Sequence, residues 1–177
     1  MTNINEILTN FEIQNQQYHT MIIKIIEILR IAGASFGIYW AYYVGMSTGT
    51  PAESVLHILT PWIIVSISGT SAIEGLFFGK QSAAEKGFKN DGGYAYQSRI
   101  ALLSYAVISL IVYFANWGTN AEVTIMLTFL FFMFFSALNH GYQAVVNHNY
   151  RWENLNRPFL TALLIAAMWY PITNVLF

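Results

Sequence analysis

In the stretch SGTSAIEGLFFGKQ an acid, Glu74, interrupts a run that otherwise reads as buried in a membrane. A carboxylate left unpaired there costs about 2.5–3.5 kcal/mol at the bilayer centre and less toward the edge. Glu74 is therefore expected to face protein, close to a cation. Arg99, which opens a later apolar run, and Asn139 and His140, which close another, fall at a matching depth, and YAYQSR adds Tyr96 and Gln97 beside Arg99. The expected cluster has Glu74 and Arg99 as its ion pair, with Tyr96, Gln97, Asn139 and His140 as hydrogen-bond partners. Such a cluster can lock helix register, bind a lipid headgroup, quinone or small polar molecule, pass protons or ions, or do acid–base chemistry through a His140–Glu74 pair. Locking the register is the first expectation, because nothing identifies a substrate or a nucleophile.

Other chemistries find no footing. The chain has no cysteine, which excludes disulfides, thiolate catalysis and iron–sulfur clusters. Haem needs two axial ligands at one depth on different spans. Here His57 falls at one side and His140 at the other, with His19 and His148 in the N-terminal segment and a loop, so no cofactor is expected. His140 and His148 lack a third ligand, and no metal site is expected either. There is no P-loop, dinucleotide-binding glycine pattern, GxSxG or HExxH, and the reading leans away from an enzyme.

The elements that must position the cluster are membrane spans. Of 177 residues 55% are hydrophobic and 10% charged, against roughly 45–50% and about 25% in soluble domains. Eight basic and nine acidic residues leave no basic surface for nucleic acid. Windows of about 20 apolar residues predict one all-α transmembrane domain with five spans, over roughly 22–46, 56–78, 99–116, 123–138 and 159–177. Residues 1–20 carry Ile4, Ile7, Leu8 and Phe11 at helical spacing, which suggests a short amphipathic segment on the membrane surface. That terminus lacks the basic region and cleavage site of a secretory signal. STGTPAES and KNDGGY mark turns, and Pro158 suits a helix start.

Lys and Arg collect in cytoplasmic loops, and here all eight fall at alternate span boundaries. The pattern predicts an inside N-terminus and an outside C-terminus, with Trp40, Trp62, Trp117 and Trp169 toward the outer headgroups and Trp152 inside. Gly33, Gly37, Ala41 and Gly45 recur every fourth residue on the first span, and Ser71, Gly75 and Gly79 on the second, so each offers a bare face for a neighbouring helix. Tight packing within the chain is the first expectation for these faces, and a contact between copies the second. The bulky TFLFFMFFSAL run of the fourth span suits lipid or a partner subunit.

Around EGLFFGKQSAAEKGFKNDGGYAYQSRIALLSY and FFMFFSALNHGYQ the chain resembles a family of small uncharacterised prokaryotic multi-span membrane proteins. The matching features are an aromatic-rich span end, a Gly-aromatic loop closing on an aromatic–Gln pair at Tyr96–Gln97, and a His ending a later span at His140. Arg99 stands where that pattern has an acid. The resemblance implies a small polytopic protein and no activity. The expected role is a structural or accessory subunit, among lipids and other membrane subunits or copies of itself. The alternatives are an oligomeric pore or small-molecule carrier, and an intramembrane enzyme acting on a lipid or quinone.

Overall fold

Among the described residues, turn chemistry cuts the chain into five helices. The computed structural model describes residues 4–87 and 93–177. Helix α1 (Ile4–Gly45) ends where Ser47 Oγ and Thr48 Oγ1 donate to the carbonyls of Val44 and Gly45, at 2.7 and 2.8 Å. Helix α2 (Pro51–Glu85) begins with proline at its first position and Glu53 in its first turn, both favourable at a helix N-terminus. Beyond it Gly87 takes a left-handed φ of 72°. Helix α3 (Gly93–Phe114) turns into α4 (Thr119–Val145) through Asn116 and Gly118, at φ 49° and 87°. Helix α5 (Trp152–Leu176) starts ahead of the expected Pro158 and carries it inside its second turn. Lys89 to Gly92 of the expected KNDGGY turn lie outside the described residues.

Among the described residues, four helices are long and apolar enough to cross a membrane: Pro51–Glu85, Ala95–Phe114, Thr119–Val145 and Asn154–Leu176. Five were expected. Helix α1 falls short because Lys24, Glu27 and Arg30, with the glycines and the tyrosines of its second half, dilute its apolar content. The separate surface segment is also corrected, since α1 is one helix of 42 residues, about 63 Å long at 1.5 Å per residue. The side chains of Ile4, Ile7 and Leu8 lie outside the described ones, and Phe11 is exposed.

Helix α1 runs antiparallel along α2 for the whole length of α2. Near one end a Cβ on Gly45 would lie 2.6 Å from Val55 Cγ2, and one on Gly37 would overlap the Trp62 ring. Trp62 Nε1 donates to the Gly33 carbonyl at 2.7 Å, Arg30 reaches Thr70 and Glu74, and the tilted rings of His19 and Phe78 meet at 5.6 Å. The glycine face of α1 is thus filled by α2 of the same chain. Trp62 lies eleven residues into α2, about 17 Å from its start, with its indole N–H bonded to backbone.

Helix α2 is central, packed against each of the other four. The half of the bundle holding its first turns is mainly apolar: Val55, Leu59, Ile63, Met126, Phe129 and Met168 are fully buried together. The other half holds Glu74 and its partners. Between the two, α2 loosens into a π-helical turn at Val65–Gly69, four residues after Pro61. Phe78 then departs from helical geometry at φ −123° and ψ 21°. Glu74 stands between these two distortions, of which the first belongs to a class that gathers at functional sites.

Candidate functional site

The carboxylate of Glu74 is buried at 3% exposure and fully engaged. Oε2 accepts from Arg30 Nη2 at 2.5 Å, and Oε1 accepts from Ser82 Oγ and Lys86 Nζ. Arg30 Nε also donates to Thr70 Oγ1 at 3.1 Å, and Lys86 Nζ to Ser82 Oγ at 2.8 Å. Two cations and a hydroxyl therefore satisfy one anion, the arrangement that makes a buried charge tolerable. Lys86 sits just past the helix end. Burial lowers its pKa, Glu74 opposes that, and the charges of Arg157 and Arg30 add to the lowering.

The expected Glu74–Arg99 ion pair does not form. One helical position turns a side chain by about 100°, so Glu74 faces α1 while Gly75 and Gly79 face α3. Arg99 lies over those glycines: a Cβ on Gly75 would sit 2.6 Å from Arg99 Cγ, and one on Gly79 would overlap its guanidinium. On α2 the bare face thus admits an arginine side chain instead of a neighbouring backbone. Arg99 has no hydrogen-bond or ion-pair partner among the described residues.

Glu74, Arg99, Asn139 and His140 nevertheless line one cavity of about 330 Å³ between α2, α3, α4 and α5, together with Lys86 and Arg157. Ser71, Gly75 and Gly79 line it too. Tyr96 and Gln97 do not; both are exposed on the outside of α3, Tyr96 at 52%. The expected His140–Glu74 pair is not made either. Instead His140 Nδ1 shares a 2.7 Å hydrogen bond with Asn154 Oδ1, and Asn154 Nδ2 donates to the Asn149 carbonyl at 3.0 Å. Asn149 in turn reaches the carbonyl of Lys86, tying the α4–α5 turn to the end of α2.

Arg30, Ser82 and Lys86 were missed as partners. Ser82 and Lys86 lie about 80° and 120° round an ideal helix from Glu74, with the departure at Phe78 between, so spacing alone did not mark them. A second buried acid, Glu122, was also missed. It takes His57 Nδ1 at 2.5 Å near the opposite end of α2, where His57 stacks on Tyr113. This histidine is therefore committed, and no group of three or more metal-binding side chains occurs among the described residues.

Thr60 and Ser68 of α2 are fully buried, and Thr60 Oγ1 donates back to the Leu56 carbonyl at 2.9 Å.

The model of the Family of unknown function (DUF6790) matches residues 22–173. The chain belongs to that family. The DUF6790 match takes in α2, α3 and α4 whole and every residue lining the cavity, and begins inside α1. Neither a curated protein nor a solved structure matches the chain.

Proposed function

We propose that this is a five-span integral membrane protein whose inner cavity binds an anionic group of the phosphate or carboxylate class. The observation carrying the proposal is the charge lining of the cavity, three cations (Lys86, Arg99 and Arg157) against the single carboxylate of Glu74. Glu74 is already matched by Arg30 and Lys86, whereas Arg99 has no hydrogen-bond or ion-pair partner among the described residues. A guanidinium in that position is suited to a bidentate anion, and Ser71, Ser98 and Asn139 supply hydrogen-bonding groups around it.

Two arguments support five crossings. Helix α1 accompanies α2 from end to end, so it shares whatever thickness α2 traverses, and its Arg30 is paired inward. The cations then cluster at one end of the bundle, which the preference of Lys and Arg for the cytoplasmic side makes the inner end. Subunit or homo-oligomer roles lose one support, because the glycine face of α1 is occupied within the chain. The exposed Phe131, Phe134 and Phe135 of α4 suit contact with lipid.

The test is a thermal shift of the detergent-purified protein titrated with glycerol 3-phosphate. A ligand that binds only the folded state stabilises by RT ln(1 + [L]/Kd), about 2.7 kcal/mol at a hundredfold excess over Kd. Arg99→Gln should keep its own Tm within a degree or two and lose the shift. The same shift from sodium chloride at matched ionic strength, or an undiminished shift in Arg99→Gln, counts against the proposal.

A further inference from the structure

We infer, building on the proposal that the inner cavity takes an anion, that the bound species is an anionic phospholipid with one acyl chain in a slot between α1 and α5. The two helices touch near their outer ends, where Tyr42 Oη donates to the Ala167 carbonyl at 2.7 Å and the rings of Tyr42 and Tyr170 meet at 6.2 Å. Toward the inner end they part around a groove of about 200 Å³. Its walls are Ala34 and Ile38 from α1 and Leu160 and Leu164 from α5, and Ile67 of α2 and Met133 of α4 form its floor.

The groove has the polarity of a lipid. Its inner end carries Glu27, Arg30, Asn156 and Arg157, and beyond them it runs largely apolar along α1 over the seven-residue rise from Ile31 to Ile38, about 10 Å. Ile67, Met133 and Arg157 line the groove and the anion cavity alike, so headgroup level and chain slot are contiguous. The wall between them is the Arg30–Glu74 ion pair, with Arg30 on the groove side and Glu74 on the cavity side. An apolar lining beyond a charged end suits an acyl chain, and basic recesses between transmembrane helices on the cytoplasmic side are suited to anionic headgroups.

The experiment offers the detergent-purified protein an equal mixture of dioleoyl phosphatidylglycerol and dioleoyl phosphatidylcholine and counts bound lipid by native mass spectrometry. Two variants fill the groove from its exposed rim, Ser35→Trp on α1 and Leu163→Trp on α5. The unaltered protein should retain one phosphatidylglycerol in preference to phosphatidylcholine. Each variant should lose at least tenfold of that retention while keeping the thermal response to glycerol 3-phosphate. Full retention in both variants, with the glycerol 3-phosphate response intact, overturns the slot and leaves the anion cavity standing. Equal retention of the two lipids, with no glycerol 3-phosphate response in the unaltered protein, removes the anion reading and the headgroup assignment with it. A dimer in the unaltered protein that either tryptophan abolishes would make the groove an interface between copies and overturn the inference.

Discussion

Glu74 shows how a single acid is made tolerable inside an apolar bundle. Its need for protein contact was legible in the sequence, because nothing else offsets a charge at that depth. Its partner was not. Arg30 reads as the last of three charges at i, i+3 and i+6 on a helix entering the membrane, a place where long side chains usually snorkel outward. Only the antiparallel register of α1 on α2 turns it inward. Arg30→Gln leaves Glu74 short of a donor, and Glu74→Gln leaves Arg30 and Lys86 close together without their anion. Each single change should cost about 3–5 kcal/mol, the usual penalty for breaking a buried pair. The Arg30→Gln/Glu74→Gln double variant should cost clearly less than the sum. Unfolding in dodecyl maltoside titrated with dodecyl sulfate reads these differences, and strict additivity would show that the two side chains do not meet.

At the scale of the helices, the all-helical, multi-span character was legible, but the number of elements and their lengths were not. Hydropathy sees only the apolar layer, so the second span, expected at 56–78, is part of a helix running from Pro51 to Glu85. The π-helical turn at Val65–Gly69 left no mark in VSISG itself, although Pro61 one turn earlier removes a backbone donor and gives a physical reason for the ladder to shift. Glycine spacing was legible as close approach, but not what would approach. On α1 it is Trp62 and Val55, and on α2 it is the side chain of Arg99. Gly37→Leu should therefore destabilise the isolated monomer, by about 1–3 kcal/mol or more, because the Trp62 ring already occupies the space and overpacking forces backbone shifts. Gly49→Ala, which meets no atom within 4 Å, serves as the control and should leave stability unchanged within about 0.5 kcal/mol. Equal stability of the two variants in the dodecyl sulfate assay would mean that α1 does not seat on α2 through this face.

For the whole molecule, the cations that carry the orientation signal are the ones that build the site. Arg30, Lys86, Arg99 and Arg157 come from four separate stretches of sequence and gather at one end of the bundle. Any bundle with alternating basic connections and an odd number of crossings must bring its inner boundaries together in this way. On the proposed reading orientation and anion binding share one cause, and the topology becomes testable with the residue this chain lacks. Because there is no native cysteine, single substitutions report their own side cleanly. Gly49→Cys, beyond the end of α1, and Asn120→Cys, in the first turn of α4, should react with a membrane-impermeant maleimide added outside intact cells. Gln17→Cys on α1 and Asn147→Cys beyond α4 should react only after the membrane is opened. All four positions are exposed, so a missing signal cannot be ascribed to burial in the protein. The decisive comparison is Gln17 with Gly49, which lie on the same helix or just past its end. Labelling of both from outside would leave α1 uncrossed and reduce the bundle to four spans. It would also detach Arg30 from the inner leaflet, and with it the wall between the anion cavity and the slot.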